Sequence, residues 1–158
     1  MSIHIRPFQP SDTETLRRIL VAGFDGVSID QNIERKFGLF GNHDWQWRKG
    51  RHLDDDIHRD PQGIFVAVVD GDIAGFVTTW IDRDSHVGFI PNLAVHENHR
   101  NQGVGRKLLE HALKRFRQEG LSVARIETLD QNPVGQHLYP SVGFTEVARQ
   151  IHFAMRLD

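Results

Sequence analysis

The sequence predicts an α+β fold, an α/β sandwich in which helices cover a mixed, mostly antiparallel central sheet. Runs rich in β-branched and aromatic residues alternate with amphipathic stripes of helical period along the chain. Turn-forming glycine, proline, asparagine and aspartate residues separate these runs. No internal repeat, low-complexity tract or linker divides the sequence, so we expect residues 1–158 to form a single domain.

Composition excludes several classes of protein. The formal net charge of −2 gives no overall attraction to nucleic acid or to anionic membranes, so we expect neither as a partner. No run approaches the roughly 20 apolar residues that cross a bilayer. The chain has no cysteine, which excludes a disulfide framework and a cysteine nucleophile. Its 10 histidines form no metal-binding motif, so we expect no metal. Because "MSIHIRPFQP" also lacks the apolar region of a signal peptide, we expect a cytoplasmic protein.

The first half of the chain predicts a strand, helices and a hairpin, in that order. Alternation in "IHIRPF" indicates a first strand. The stripe formed by Leu16, Ile19 and Leu20 indicates a helix over 11–24, and we expect helices over 30–60. "GIFVAVV" and "IAGFVTTWI" are joined by "DGD", a sequence typical of a hairpin turn. These runs are therefore the predicted second and third strands.

The second half alternates strands with helices. "HVGFIPNLAV" predicts a fourth strand, in which Pro91 cannot donate to a ladder and therefore marks an edge, a bulge or a gap in pairing. An apolar stripe over 104–119 predicts a helix that Gly120 ends, and "LSVARIETL" predicts the fifth strand. "NPVGQHLYPSVGF" predicts a helix with Asn132 as its N-cap, and "TEVARQIHFAMRL" a closing strand.

The stretch "HRNQGVGRKLL" between the fourth strand and its helix is a candidate anion site. The free N–H groups and the positive dipole end of a helix face the preceding turn. Gly103 and Gly105 allow close backbone approach, and Arg100, Arg106 and Lys107 add positive charge. The alternative is a flexible loop with solvated cations. The spacing matches neither a Walker loop nor a Rossmann fingerprint, which would need glycine at 108.

Two motifs together resemble those of the GNAT superfamily of N-acetyltransferases. The first is R-x-x-G-x-G, Arg100 to Gly105, which follows the strand "PNLAV" and is similar to the acyl-CoA signature of that family. The second is "NPVGQHLYPSVGF", in which an asparagine precedes a helix ending in L-Y-x-x-x-G-F. The resemblance covers the chain from Gly63 to its end, and Ile3 to Gly23 fit the family's first strand and helix less specifically.

The resemblance implies a sheet that splays open between the fourth and fifth strands, around 87–95 and 122–129, with acetyl-CoA as cosubstrate in the gap. It implies that the backbone of Leu93, Ala94 and Val95 pairs with the pantetheine arm. It further implies that the pyrophosphate binds the amides of Asn101, Gln102, Gly103, Val104, Gly105 and Arg106, beside the charge of Arg100. Asn132 is first a helix cap, and a contact with the cofactor would be additional.

The resemblance also implies two catalytic residues. Glu127 on the fifth strand is the expected general base, and Tyr139, the only tyrosine, is the expected general acid for the departing thiolate. Each has a structural alternative, because Glu127 fits a solvent-facing strand residue and Tyr139 fits helix packing. Pro140 should end or kink the helix at Tyr139, which affects the position of the hydroxyl.

The expected function is transfer of an acetyl group from acetyl-CoA to a primary amine of a small molecule, peptide or protein. The alternative is a catalytically silent acyl-CoA-binding or sensing domain on the same fold. A homodimer is compatible with the family, although no sequence feature indicates an interface. Candidate residues for the acceptor side, each with a structural alternative, are Trp45, Trp47, Trp80, Asp82, Asn92 and His96.

Overall fold

The structure is a computed structural model that describes residues 2–158. Its strands are β1 (Ile3–Pro7), β2 (Ile64–Val69), β3 (Asp72–Thr78), β4 (Trp80–Asp82), β5 (Val87–Ile90), β6 (Leu93–Val95) and β7 (Val123–Ile126). Its helices are α1 (Thr13–Gly23), α2 (Ile29–Phe37), α3 (Trp45–Arg59), α4 (Val104–Gln118) and α5 (Pro133–Val142). The predicted helices and the first five predicted strands are thereby confirmed.

The strands form two sheets instead of one continuous sheet. One has the order β1-β2-β3-β6 and the other the order β4-β5-β7. The predicted third strand is interrupted at Thr79 and the predicted fourth at Pro91 and Asn92, so each contributes one piece to each sheet. All pairs are antiparallel except β5 with β7, which is parallel. Proline lacks the N–H that a ladder needs, which accounts for the second interruption.

The two sheets diverge at the place where the sequence predicts a splay. β7 pairs with β5 from Val87 with Val123 to Ile90 with Ile126, and the ladder stops there. β6 continues the line of β5 but pairs only with β3. The edge of β6 that faces away from β3 therefore has no strand partner in the described part of the chain, 2–158. This confirms the predicted opening between the fourth and fifth strands.

Helices cover both faces of the sheets, as a sandwich requires. On one face, Leu16 and Leu20 of α1 and Leu53 of α3 pack with Val66 and Phe76 in a fully buried cluster. On the other face, α4 provides a second cluster. Its buried members from α4 are Val104, Leu108, Leu109, Ala112 and Phe116. Burial of these apolar side chains is the main favourable contribution to folding.

Two glycines let α4 and the strands approach closely. A Cβ on Gly75 would lie 2.6 Å from the carbonyl oxygen of Ala94, so only glycine fits between β3 and β6 at this point. A Cβ on Gly88 would lie 2.5 Å from the ring of Phe116. Phe116 therefore lies directly on the backbone of β5 and fixes α4 to the smaller sheet. Leu108 of α4 also lies 3.3 Å from the position of a Cβ on Gly75, so α4 contacts both sheets.

The predicted closing strand over Thr145–Leu157 is wrong. The segment has no strand or helix, and the apolar side chains of Val147, Ile151, Phe153 and Met155 are largely exposed. Alternating polarity gives a segment the propensity for a strand, but a strand exists only where a partner accepts its hydrogen bonds. The segment is instead held by polar contacts, including a hydrogen bond from Arg156 to the carbonyl oxygen of Phe37 (2.6 Å).

Of the two predicted effects of Pro140, an end or a kink of α5 at Tyr139, the end does not occur. The helix continues to Val142 and ends at Gly143, which has a left-handed φ of 117°. The N–H groups of Gly143 and Phe144 bond back to the carbonyls of Pro140 and Tyr139. These bonds close the last turn without needing an N–H from Pro140. Separately, none of the helices within 2–158 is long and apolar enough to span a membrane.

We predict that Gly88→Ala destabilises the protein by about 1–3 kcal/mol, because the new methyl group overlaps the buried ring of Phe116. Chemical denaturation measures this change. Gly23→Ala is the matched control, since its methyl group would meet Ala94 at an ordinary contact distance of 3.4 Å. Equal stability of the Gly88→Ala variant and the wild type would contradict the packing described for α4 on β5.

Candidate functional site

The open edge of β6 presents specific backbone groups. The N–H of Thr78 donates to the carbonyl of Asn92 (2.9 Å), and the N–H of His96 donates to the carbonyl of Ala74 (2.8 Å). Backbone groups alternate in direction along a strand, so Ala94 also bonds toward β3. The N–H and C=O groups of Leu93 and Val95 consequently point to the open side. Of the three backbone residues that the sequence predicts for pantetheine, these two face the opening, and Ala94 faces β3.

The glycine turn lies at the end of this open edge. Gly103 is the N-cap of α4 and has a left-handed φ of 84°, and Asn101 is also left-handed with φ 60°. The first N–H groups of α4 have no partner within the helix, and the helix dipole makes this end positive. Arg100, Asn101, Gln102 and Lys107 are exposed around the turn. The arrangement can hold an anionic group such as a phosphate.

Helix α5 packs against the turn and completes this side of the opening. A Cβ on Gly105 would lie 3.2 Å from Leu138 of α5, so the two helices approach closely here. Arg106 donates to the Ser141 hydroxyl of α5 (2.8 Å), and its guanidinium is therefore engaged with protein. Asn132 caps α5, accepting a hydrogen bond from the N–H of Gly135 (3.3 Å). The predicted capping role of Asn132 is confirmed.

Tyr139 lies in α5 and is half-buried against the α4 cluster. Its ring contacts Phe144 edge-on, with ring centroids 6.1 Å apart. Burial raises the pKa of Tyr139 to about 12, because the phenolate would be poorly solvated. The hydroxyl therefore keeps its proton throughout the neutral range, where it can donate a hydrogen bond or a proton.

Glu127 follows β7 directly and is open to solvent. Its side chain is 77% exposed, and its Oε1 atom lies 3.6 Å from Nη2 of Arg125. An exposed ion pair of this kind contributes little to stability and is easily rearranged. The carboxylate is thus free to turn toward a ligand that enters the opening between β6 and β7.

A buried polar cluster on the α3 side of the break was not singled out by the sequence. We call it the Lys49 network; its members are Lys49, His52, Asp56, Thr78 and Asn92. Lys49 Nζ donates to Asn92 Oδ1 (2.9 Å) and lies 3.2 Å from Nδ1 of His52. Asp56 Oδ2 accepts from Asn92 Nδ2 (2.6 Å) and from Thr78 Oγ1 (2.9 Å). Four of the five residues, all but His52, are buried.

The electrostatics of the Lys49 network follow from its burial. Desolvation lowers the pKa of Lys49 from 10.5 to about 8, although the carboxylates of Asp30 and Asp56 act in the opposite direction. Burial raises the pKa of Asp56, and the bonds from Asn92 and Thr78 oppose that rise. Burial and the charge of Lys49 lower the pKa of His52. A lysine with a pKa near 8 is a group that titrates close to physiological pH.

A cleft of about 220 Å³ opens beside this network, next to the strand break. Its lining residues are Lys49, His52, Asp55, Asp56, Arg59, Pro91 and Asn92. Because Pro91 and Asn92 immediately precede β6, the cleft reaches the point where the open edge begins. Asn92 was among the acceptor-side candidates of the sequence, and Asp56 belongs to an acidic run that the sequence also offered; Lys49 could have been found only from burial, because a lysine on a helix is normally exposed.

The other acceptor-side candidates are dispersed. Trp45 is buried in the core, while Trp47 is stacked on His43 at the surface. Trp80 is stacked on Phe89, with ring centroids 4.1 Å apart. Asp82 caps a turn by accepting from the N–H groups of Asp84 and Ser85, and His96 accepts from the N–H of Asn98. No group of three or more potential ligands for a metal ion occurs in residues 2–158.

The structure has a sheet split at its centre and an unpaired strand edge that leads to a glycine turn, which is the arrangement that the sequence resemblance implies for an acyl-CoA site. Comparison with known proteins identifies the family. The profile of the Acetyltransferase (GNAT) family matches residues 28–144. The chain therefore belongs to the GNAT acetyltransferase family.

Individual relatives are similar over different parts of the chain. A ribosomal-protein alanine N-acetyltransferase of Escherichia coli is 33% identical over 82 residues, which are 52% of this chain and 54% of that protein. The chain thus spans about half the length of this relative. An uncharacterized N-acetyltransferase of Archaeoglobus fulgidus is 28% identical over 144 residues, 88% of this chain and 90% of that protein.

Solved structures share the fold. The PaiA N-acetyltransferase of Thermoplasma acidophilum, crystallised in complex with coenzyme A, superposes with a TM-score of 0.69 at 23% identity. The superposition covers 92% of this chain and 91% of that one. This likeness confirms the predicted fold class, in which helices flank a mixed, mostly antiparallel sheet.

We predict that Lys49→Met changes how stability depends on pH. The unfolded chain binds a proton at Lys49 up to about pH 10.4, whereas the folded chain releases it near pH 8. Between these values the unfolded state holds more protons, so the unfolding free energy of the wild type rises with pH. The unfolding free energy of the wild type minus that of Lys49→Met should increase by up to about 3 kcal/mol over this pH range.

Urea denaturation of both proteins from pH 7 to pH 10.5 measures this difference. Lys36→Met, which removes an exposed lysine, controls for the change of charge. If the unfolding free energies of the wild type and of Lys49→Met change in parallel with pH over this range, Lys49 is not desolvated as described.

Proposed function

We propose that the protein is an acetyl-CoA-dependent N-acetyltransferase that moves the acetyl group to a primary amine by direct attack in a ternary complex. The observation that carries the proposal is the unpaired edge of β6, whose Leu93 and Val95 groups point into the opening that ends at the α4 turn. Residues 1–158 act as one catalytic domain. We place it in the cytoplasm, where acetyl-CoA is available; a chain without cysteine is compatible with that reducing compartment.

The opening can accept the successive parts of acetyl-CoA, from the thioester and the pantetheine arm to the phosphates. The pantetheine arm carries two amide groups and can pair with Leu93 and Val95 as an additional strand. The pyrophosphate then reaches the N-terminus of α4, where Gly103 and Gly105 allow close approach. Exposed Arg100 and Lys107 provide positive charge for the phosphate on the ribose of CoA. The thioester end lies at the start of β6, beside the cleft of the Lys49 network.

The chemistry requires three proton movements. An ammonium group must lose one proton before its nitrogen can attack the thioester carbonyl, and Glu127 is the proposed acceptor of that proton, directly or through a water. The nitrogen then forms a bond to the acetyl carbon and releases a second proton to solvent, and the C–S bond breaks. Tyr139 is the proposed donor of the proton that the thiolate of CoA takes. Transfer from a phenol of pKa about 12 to a thiolate whose acid has a pKa of about 8.5 is uphill, and it is completed when solvent restores the proton on Tyr139.

The acceptor is an amine of a small molecule or of a peptide or protein. The name of the E. coli relative supports a protein amine, because that enzyme acts on an alanine of a ribosomal protein. Acidic and basic side chains, Asp55 and Arg59, both line the cleft, so an acceptor with a single ammonium group fits better than a polycation. Homodimer formation is a further proposal, which light scattering in solution tests.

We predict that purified protein releases free thiol from acetyl-CoA only when a suitable amine is added. A panel of amines, including amino acids, peptides with different first residues, polyamines and aminoglycosides, is screened with a thiol reagent. Calorimetric titration with CoA accompanies the screen. Turnover with any amine supports the enzyme, and CoA binding without turnover on a broad panel supports the silent acyl-CoA-binding alternative. Absence of CoA binding at sub-millimolar concentration would contradict both.

We predict that Tyr139→Phe and Glu127→Gln each lower kcat at least tenfold while leaving the affinity for CoA unchanged. Glu146→Gln, a second exposed glutamate in an ion pair with an arginine, is the matched control. Unchanged turnover at saturating substrates would exclude a catalytic role for the residue that was replaced.

A further inference from the structure

The Lys49 network meets the cosubstrate site at a single residue. Asn92 is the last residue before β6, and its backbone and side chain together make four of the hydrogen bonds around the break. We propose that Lys49 is a positioning residue for acetyl-CoA, which acts through Asn92 to hold the strand break so that Leu93 and Val95 face the opening. This inference rests on the proposed function, since it concerns the same cosubstrate.

The hydrogen bonds of Asn92 determine the direction of the chain at the break. Its N–H donates to the Thr78 hydroxyl (3.0 Å), and its carbonyl accepts from the N–H of Thr78 (2.9 Å). Its amide side chain lies between Asp56 and Lys49, donating to the former and accepting from the latter. With all these groups occupied, Asn92 cannot rotate its peptide toward β7, and the peptide groups that follow it keep their alternation along β6.

Lys49 is well suited to fix Asn92, because the groups around it come from different elements. His52 and Asp56 face it from its own helix α3, Asp30 faces it from α2, and Phe24 from the end of α1. Its ammonium group lies 3.8 Å from the centre of the Phe24 ring. With Asn92 and His52 as hydrogen-bond acceptors, the ammonium group has an interaction for each of its three protons. Lys49 therefore links the helical layer to the strand break.

His52 and Asp30 extend the hydrogen bonds and the charge compensation around Lys49. Nδ1 of His52 faces the ammonium group, so it must be the acceptor, and the ring proton is on Nε2. Nε2 lies 3.4 Å from Asp30 Oδ2. The charge of Lys49 is thus compensated by carboxylates on both sides, Asp30 and Asp56. Within 2–158 no buried side-chain nitrogen or oxygen lacks a hydrogen-bond partner, so removing one member leaves its partners unsatisfied.

The first test compares Lys49→Met, which keeps the length of the side chain but removes its charge and donors, with the control Lys36→Met. Binding of acetonyl-CoA, a thioether that cannot transfer an acyl group and has no free thiol, is measured by calorimetry. We expect the Kd of Lys49→Met to rise about tenfold, the effect of losing one charged hydrogen bond, and that of Lys36→Met to stay within twofold of the wild type.

A second measurement separates positioning from a purely structural role. If Lys49 only stabilised the fold, its loss would lower the folded fraction, and hence apparent kcat, without changing the KM for acetyl-CoA. A positioning role raises the KM for acetyl-CoA about tenfold. The variant Thr78→Val, which breaks the same network from β3, should reproduce this pattern, and its effect should not add to that of Lys49→Met.

A third measurement does not depend on activity. The rate of amide hydrogen exchange at Thr78 and Ala94 in the ligand-free protein measures how often the hydrogen bonds between β3 and β6 open. We expect faster exchange there in Lys49→Met, with the β1–β2 ladder unchanged. Unchanged exchange and an unchanged Kd in folded Lys49→Met would overturn the proposal. Faster exchange without CoA binding by the wild type would instead support the role of Lys49 at the break and contradict the proposed cosubstrate.

Discussion

The proposed function depends on one strand edge that has no strand partner within residues 2–158. Backbone N–H and C=O groups that are not paired within the fold must bond to water or to a ligand. At Leu93 and Val95 these groups face an opening between two sheets, because the ladder with β7 ends at Ile90. An exposed strand edge is normally a site of unwanted association. Here it is short, three residues long, and it borders the opening between the two sheets.

Three features converge on this edge. Pro91 interrupts the strand, the Lys49 network fixes the residue that follows it, and the turn before α4 provides an anion site beyond it. Packing of α4 on both sheets keeps these features at fixed distances, since Phe116 lies on Gly88 and the chain of β3 approaches β6 at Gly75. The candidate site is therefore built mainly from backbone, and side chains supply its position and its charge.

Much of this could be predicted from the sequence, because local rules control it. Asn132 and Gly143 carry the cap signals of α5, the Asp70-Gly71 turn joins a hairpin, and Pro91 predicts a gap in pairing. The split of the sheet followed from a resemblance carried by two motifs. Such features depend on a few neighbouring residues, and the structure confirms them.

Features that depend on distant partners could not be predicted. The alternating residues of Thr145–Leu157 look like a strand, but pairing requires an edge that the sequence does not reveal. Lys49 looks like any helical lysine until α1, α2 and β6 surround it. Pro140 lies so close to the end of α5 that the closing bonds at Gly143 bypass it. In each case tertiary contacts, not local preference, decide the outcome.

The central claim is that the free groups of β6 receive the cosubstrate. A crystal structure with bound CoA tests it most directly. We predict that the pantetheine arm lies along β6, with hydrogen bonds to the backbone of Leu93 and Val95, and that the pyrophosphate contacts the amides of the turn from Asn101 to Arg106. A CoA molecule bound elsewhere, or a segment of the protein paired with Leu93 and Val95 in its presence, would contradict the account.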